Sequence, residues 1–223
     1  MTQDNHHRAT AADKPVPSPK PDESGERRTI PREELMQLPV VRYHGPIRLV
    51  ANETDLQGAL KEIGSEHVVG FDTETRPMFK KGQSYAPSLA QIATSRAVHL
   101  FPLAKLDCSH ALAEVFNNAK IIKTGIALAR DLAELQKLFP FTAANVVDLG
   151  DIAKKRGMEQ TGLRNLTGLF LGGRITKGAQ TSNWARPTLS QKQLCYAATD
   201  AWICRELYLR FESLGWLPAP QHR

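Results

Sequence analysis

VVGFDTET, residues 68–75, begins as a buried strand and ends on two acids one residue apart. Side chains alternate along an extended chain, so Asp72 and Glu74 share one face while Phe71 and Thr73 take the other. Two carboxylates so placed at the end of an apolar run repel each other and lose hydration. That costs energy unless positive charge lies between them.

Outward from this strand the pattern is one of alternating elements. PIRLVAN (46–52) reads as a short strand, and Thr54 with Gln57 offers a capping box for a helix carrying Leu56, Leu60 and Ile63 on one face. A polar loop with Lys80, Lys81 and Gly82 follows the central strand. SLAQIAT (88–94) and AVHLFPL (97–103), separated only by Ser95 and Arg96, read as an antiparallel hairpin. Helix near 108–117, strand 120–125, helix 127–139, strand around 145–148 and helices near 149–156 and 162–171 complete the body. This alternation predicts an α/β sheet, mixed because its first three strands form a meander. A Gly-rich basic stretch, LGGRITKGAQTSNWARP (171–187), leads to a last helix whose start is marked by the capping pair Ser190 and Gln193.

Two further acids occupy inward positions. Asp131 falls on the stripe of Leu128, Leu135 and Leu138; an acid favoured by the dipole at a helix start would account for it equally well. In LCYAATDAWICREL (194–207), Tyr196, Asp200, Ile203 and Leu207 fall on one face at helical spacing. Asp200 therefore points at the core one turn from a tyrosine, where a buried Tyr–Asp hydrogen bond is the structural alternative. Taken together, Asp72, Glu74, Asp131 and Asp200 are four inward acids on separate elements, which ordinary packing does not explain. Four carboxylates in one pocket carry about −4, and two divalent ions supply +4. Oxygen-only ligands favour Mg²⁺ or Mn²⁺ over zinc.

Composition bounds the rest. The 223 residues are enough for a substantial core. Residues 1–31, with Pro15, Pro17, Pro19 and Pro21 and few large aliphatics, read as a disordered tail before a single domain at 32–223. The tail's five basic and five acidic residues cancel, so the net charge of +6 belongs to the domain and suggests an anionic partner. Cys195 and Cys204 lie about 13 Å apart along one helix, too far to bridge, and with Cys108 they form no CxxC pair. A reduced, intracellular, cytoplasmic chain with no disulfide-linked partner is expected. No run approaches a membrane span, the start lacks a secretion signal's apolar core, and the seven histidines show no metal-ligand spacing.

FDTET, GIALARD (125–131) and YAATD (196–200) resemble the three motifs of the DEDD 3′–5′ exonucleases, with the tyrosine marking the DEDDy branch. The resemblance covers about residues 46–212. SNW (182–184) and LSQKQLCYAATDA (189–201) make it most similar to the Werner-type exonuclease domain, with ribonuclease D second. It implies a ribonuclease H-like fold, a five-stranded mixed sheet with helices on both faces. It also implies that Asp72, Glu74 and Asp200 hold one metal, that Asp72 and Asp131 help hold a second, and that Tyr196 orients the attacking water. The implied reaction releases nucleoside 5′-monophosphates from the 3′ end of DNA or RNA. Arg174, Lys177, Ser182, Asn183 and Trp184 are expected to approach the substrate backbone. Ribonuclease D usually carries C-terminal helical domains, and a sequence that stops soon after Asp200 is expected to weaken that reading and to favour the Werner-like one. Two rivals stand beside it. The strand-end motif DTET resembles that of haloacid dehalogenase phosphatases, although Glu74 replaces an Asp there, and a non-catalytic nucleic-acid-binding module would share the fold.

Overall fold

The computed structural model describes residues 28–77 and 85–217. The proposed tail up to residue 27 and the loop of Lys80, Lys81 and Gly82 lie outside them. Residues 28–31, assigned to the tail from sequence, belong to the folded body: Ile30 is buried, and its amide donates to Gln160 Oε1 at 2.9 Å.

A short helix α1 (Arg32–Gln37), which the sequence pattern does not reveal, precedes strand β1 (Ile47–Leu49) and helix α2 (Glu53–Gly64). There follow β2 (Val68–Thr75), β3 (Pro87–Ala93), β4 (Val98–Pro102), α3 (Ser109–Asn117), β5 (Ile122–Gly125), α4 (Leu128–Gln136) and β6 (Val146–Asp148). Helices α5 (Leu149–Lys155), α6 (Leu163–Leu171) and α7 (Gln191–Ser213) close the chain. The strands form one sheet in the order β1-β4-β3-β2-β5-β6. β2, β3 and β4 are the expected antiparallel meander, and β5 and β6 add in parallel to β2. The strand count is six rather than five, because β1 pairs in parallel with β4 and extends that edge.

The two faces bury different sets of residues, as the period-2 alternation requires. Phe71, Ala90, Ile92 and Phe101 pack beneath α2, α3 and α4, with Phe71 edge-on to Phe116. Leu89, Ala93, Val98 and Leu100 pack on the other face against Ala197, Ala198 and Ala201 of α7. Farther along α7, Ile203, Leu207 and Phe211 join α5 and α6. Helix α7 begins with the expected capping box, in which Ser190 and Gln193 satisfy each other's backbone amides. The cap of α2 is not the expected Thr54: Asn52 accepts the amide of Asp55 instead, and Gln57 bonds Glu53.

One glycine lets α7 reach its position. A Cβ on Gly70 would lie 2.8 Å from the Arg205 amide nitrogen and closer still to the Ala201 carbonyl oxygen. The bare backbone at Gly70 allows the helix to rest directly on the central strand. This contact carries Asp200, the neighbour of Ala201, to the end of β2.

Candidate active site

Asp72, Glu74 and Asp200 meet where β2 ends under α7. Each offers a carboxylate oxygen, and these oxygens lie within 4.8 Å of one another. Glu74 and Asp200 are buried, and Asp200 Oδ1 has no hydrogen-bond partner among the described residues. Burial, then the charges of Asp200 and Asp131, push the Asp72 carboxyl well above the usual carboxylate range. Burial and then the charges of the other three acids push Glu74 up to about 10, and burial pushes Asp200 to about 7. An orphaned carboxylate oxygen in a cluster of hard oxygen donors is the environment a divalent cation fits, since the ion would satisfy the oxygens and cancel their repulsion.

Asp131 stands at the side of this group, not within its closest triad. The Thr73 hydroxyl donates to Asp131 Oδ1 at 2.6 Å. Thr73 thus uses its position on the opposite face of β2 to fix the fourth acid, a role that the alternation of the strand does not by itself disclose. Helix α4 starts from Ala127 in the left-handed region, φ 57°, and the Leu128 amide is held by Asp148 Oδ2 at 2.8 Å. Burial raises the Asp131 carboxyl, with the Thr73 hydrogen bond opposing. Leu138, expected on the buried stripe of α4, lies beyond the helix end and is 45% exposed.

Tyr196 lies one turn before Asp200 on α7, and both line the cleft into which the cluster opens. Burial and then the Asp200 charge drive the phenol above its ordinary value of 10, so it stays protonated and serves as a donor. Both members of the YxxxD pair therefore belong to the acid cluster, with the protonated phenol one turn from the Asp200 carboxyl.

The cluster opens into a cleft of about 490 Å³ whose other wall carries Arg164, Asn165, Lys177 and Gln180. Of the five residues expected to meet substrate, only Lys177 lines this cleft. Arg174 is tied to the N-terminal segment, its Nε donating to Leu38 O at 3.0 Å and its backbone bridging Val40. The Ser182 hydroxyl and the Asn183 carbonyl both accept from Gln193 Nε2, which anchors the loop to the start of α7. Trp184 is only 2% exposed and packs against Tyr196 at a ring-centroid distance of 6.0 Å. It is a core residue beneath the tyrosine, not a surface for a strand. Arg164, Asn165 and Gln180 escape a reading of the sequence because polar side chains on a first helical turn or a turn-rich loop break no pattern.

An acidic, cation-accepting cleft at the end of the central strand of a mixed sheet is the arrangement of a metal-assisted hydrolase. Residues 47–216 match the family model described as 3′-5′ exonuclease, and the chain belongs to that family. It is 30% identical to the human exonuclease mut-7 homolog, the alignment covering 86% of this chain and 26% of that protein. It is 28% identical to the mouse bifunctional 3′-5′ exonuclease/ATP-dependent helicase WRN (80% of this chain, 13% of that protein). With ribonuclease D of Haemophilus influenzae it shares 30% identity (72% and 40%). The chain thus spans 40% or less of each of these relatives. Among solved structures, the Nibbler EXO domain of Aedes aegypti superposes with a TM-score of 0.71 at 25% identity, covering 78% of this chain and 92% of that one. Ribonuclease D of Trypanosoma brucei in complex with RNA U12 shares the fold (TM-score 0.68, 18% identity, 80% and 64% covered). The family match decides against the haloacid dehalogenase reading of DTET. Werner-type and ribonuclease D relatives both match, so the two leading readings stand together.

Proposed function

We propose that this protein hydrolyses the terminal phosphodiester at the 3′ end of a nucleic acid strand, releasing nucleoside 5′-monophosphates with the help of Mg²⁺ or Mn²⁺. The observation that carries the proposal is the convergence of the Asp72, Glu74 and Asp200 carboxylates, with Asp131 held beside them by Thr73. Two divalent ions, when bound, would neutralise these acids, acidify water and stabilise the leaving 3′-oxygen. Asp72, Glu74 and Asp200 would hold one, and Asp72 with Asp131 the other.

The chain's own residues supply the remaining functions. Tyr196, kept protonated by burial, is too weak an acid to act as base at neutral pH. Its oxygen retains lone pairs to accept from a water, so its role is to orient the nucleophile. Lys177 faces the acids across the cleft and offers a cation to the phosphate backbone. Arg164 stands on the same wall and adds a second positive group.

End-labelled DNA and RNA, single- and double-stranded, incubated with Mg²⁺, Mn²⁺ or chelator, test the proposal. Shortening from the 3′ end, stopped by chelator, is expected. Asp72→Ala and Asp200→Ala should abolish it in folded protein, while Tyr196→Phe should leave a residual rate. Full activity in either Asp variant, or binding with no cleavage in any metal, refutes the assignment; the latter result identifies a binding module. Exclusive cleavage of RNA favours the ribonuclease D-like reading, which the Haemophilus relative supports.

A further inference from the structure

Gln91 stands where the pattern of β3 calls for an aliphatic side chain. Its neighbours on the same face, Leu89 and Ala93, are fully buried and pack beneath the alanines of α7. Gln91 is equally buried, at 0% exposure, yet neither its Oε1 nor its Nε2 has a hydrogen-bond partner among the described residues. An amide in such a place is less favourable than a leucine unless something polar engages it. The strand register shows its cross-strand partners. Gln91 is paired with Leu100 on β4, which offers no polar side chain, and with Asp72 on β2. Directly opposed residues in an antiparallel pair present their side chains on the same face with Cβ atoms about 4.5–5.5 Å apart. A glutamine side chain spans that gap.

We infer that Gln91 is a positioning residue for the acid cluster: its Nε2–H donates to the Asp72 carboxylate and fixes the direction in which that carboxylate presents its other oxygen to a cation. The inference rests on the proposed metal-dependent function and adds to it a residue that touches neither substrate nor metal. The hydrogen bond belongs to the loaded state, in which Asp72 is held as an anion. Glutamine suits the task because its N–H directs a carboxylate without adding a fifth negative charge. A lysine in its place would compete with the metals for the acids.

The test uses the full chain with Gln91→Met, which keeps length and volume, and Gln91→Leu as a second variant. Two quantities are measured: the thermal midpoint in chelator and the Mn²⁺ dissociation constant by titration calorimetry. Removing a ligand-orienting partner characteristically weakens metal binding by about 10–100-fold. The expected result is a chelator midpoint equal to or above that of the unsubstituted protein, with a Mn²⁺ dissociation constant raised about tenfold or more. A residue that merely fills the core leaves the Mn²⁺ affinity unchanged whichever way the midpoint moves, and that result overturns the inference. So does failure of both variants to fold, since the amide would then have a structural partner. If the unsubstituted protein binds no Mn²⁺, the proposed function itself falls and this inference with it. If it binds Mn²⁺ and both variants bind equally well, only the role of Gln91 is lost.

Discussion

Gly70→Ala should damage the site from a position that touches none of the acids. The added Cβ would lie 2.8 Å from the Arg205 nitrogen and nearer still to the Ala201 oxygen, whereas ordinary contact begins at 3.4 Å. Both obstructing atoms are backbone, so no rotamer change relieves them, and α7 must withdraw by at least about 0.6 Å. Overpacking of this kind costs roughly 1–3 kcal/mol. Replacing a strand glycine recovers about 0.5–1 kcal/mol of backbone entropy, which leaves a net loss of up to about 2.5 kcal/mol. For a domain of this size that is up to about 10 °C in Tm. The larger effect is geometric. Asp200 precedes Ala201 on the displaced turn, and a displacement of about 1 Å at a catalytic group can cost 10²-fold, so at least about a tenfold fall in Mn²⁺-dependent cleavage is expected. Urea unfolding and hydrolysis of a 5′-labelled oligonucleotide measure the two effects. Gly58→Ala is the control: it lies in α2, where an added Cβ would meet nothing within 4 Å, and should stabilise by up to about 1 kcal/mol. If Gly70→Ala leaves stability and cleavage intact, the account of how α7 positions Asp200 is wrong.

The acid cluster should make metal-free protein pH-sensitive. Glu74 and Asp200 carry folded pKa values of about 10 and about 7, above their unfolded values, so their contribution is present below about pH 4 and is lost as pH rises through about 7 and then about 10. The chelator midpoint should therefore fall between about pH 5 and 8, and Mn²⁺ should remove most of that fall; a flat profile in chelator contradicts the reading. Lys177→Ala, at an exposed position, should leave the melting midpoint unchanged, weaken single-strand binding and reduce the salt slope by about one. An unaltered slope in fluorescence anisotropy would remove Lys177 from the interface. Lys123 is 1% exposed and is lowered to about 8 by burial, with its Nζ donating to Asn118 O at 2.7 Å. Because the folded pKa lies below the unfolded one, stability should rise with pH from about 8 to about 10 on its account. Lys123→Met should stabilise at about pH 7 by about 1–3 kcal/mol and lose that advantage near about pH 10, as followed by denaturant melts.

Much of the fold is legible in the sequence because long elements repeat their signal. The β3–β4 hairpin, the alternation that follows it and the start of α7 at Ser190 each rest on several residues that agree. Short elements lack that redundancy. α1 has six residues and buries one of them, Leu35, so no periodicity exists to detect. β1 is visible as a strand, but its partner depends on the path of the chain, and its three residues say nothing about which sheet edge they join. At α2, Asn52 and Thr54 both precede the apolar stripe. Capping chemistry alone does not choose between them, whereas the entry of the chain from β1 places Asn52 at the first turn.

The site divides along a similar line, and the reason is the cost of burial. An inward carboxylate breaks the pattern of a strand or helix, which is why Asp72, Glu74, Asp131 and Asp200 can be picked out without coordinates. A basic or polar residue in a turn-rich segment breaks nothing, and its side chain can serve the substrate, the backbone or the core. Within one stretch Lys177 turns to the cleft, Arg174 to Leu38, Ser182 to Gln193 and Trp184 into the interior. The same criterion, applied to SLAQIAT, exposes Gln91 as a polar residue in the phase of the buried face. Asp72 opposite it is the missing half of that observation, since only strand register joins residues so far apart along the chain. Sequence thus signals a buried polar group by the rule it violates, while its partner becomes visible only through the pairing that brings the two together.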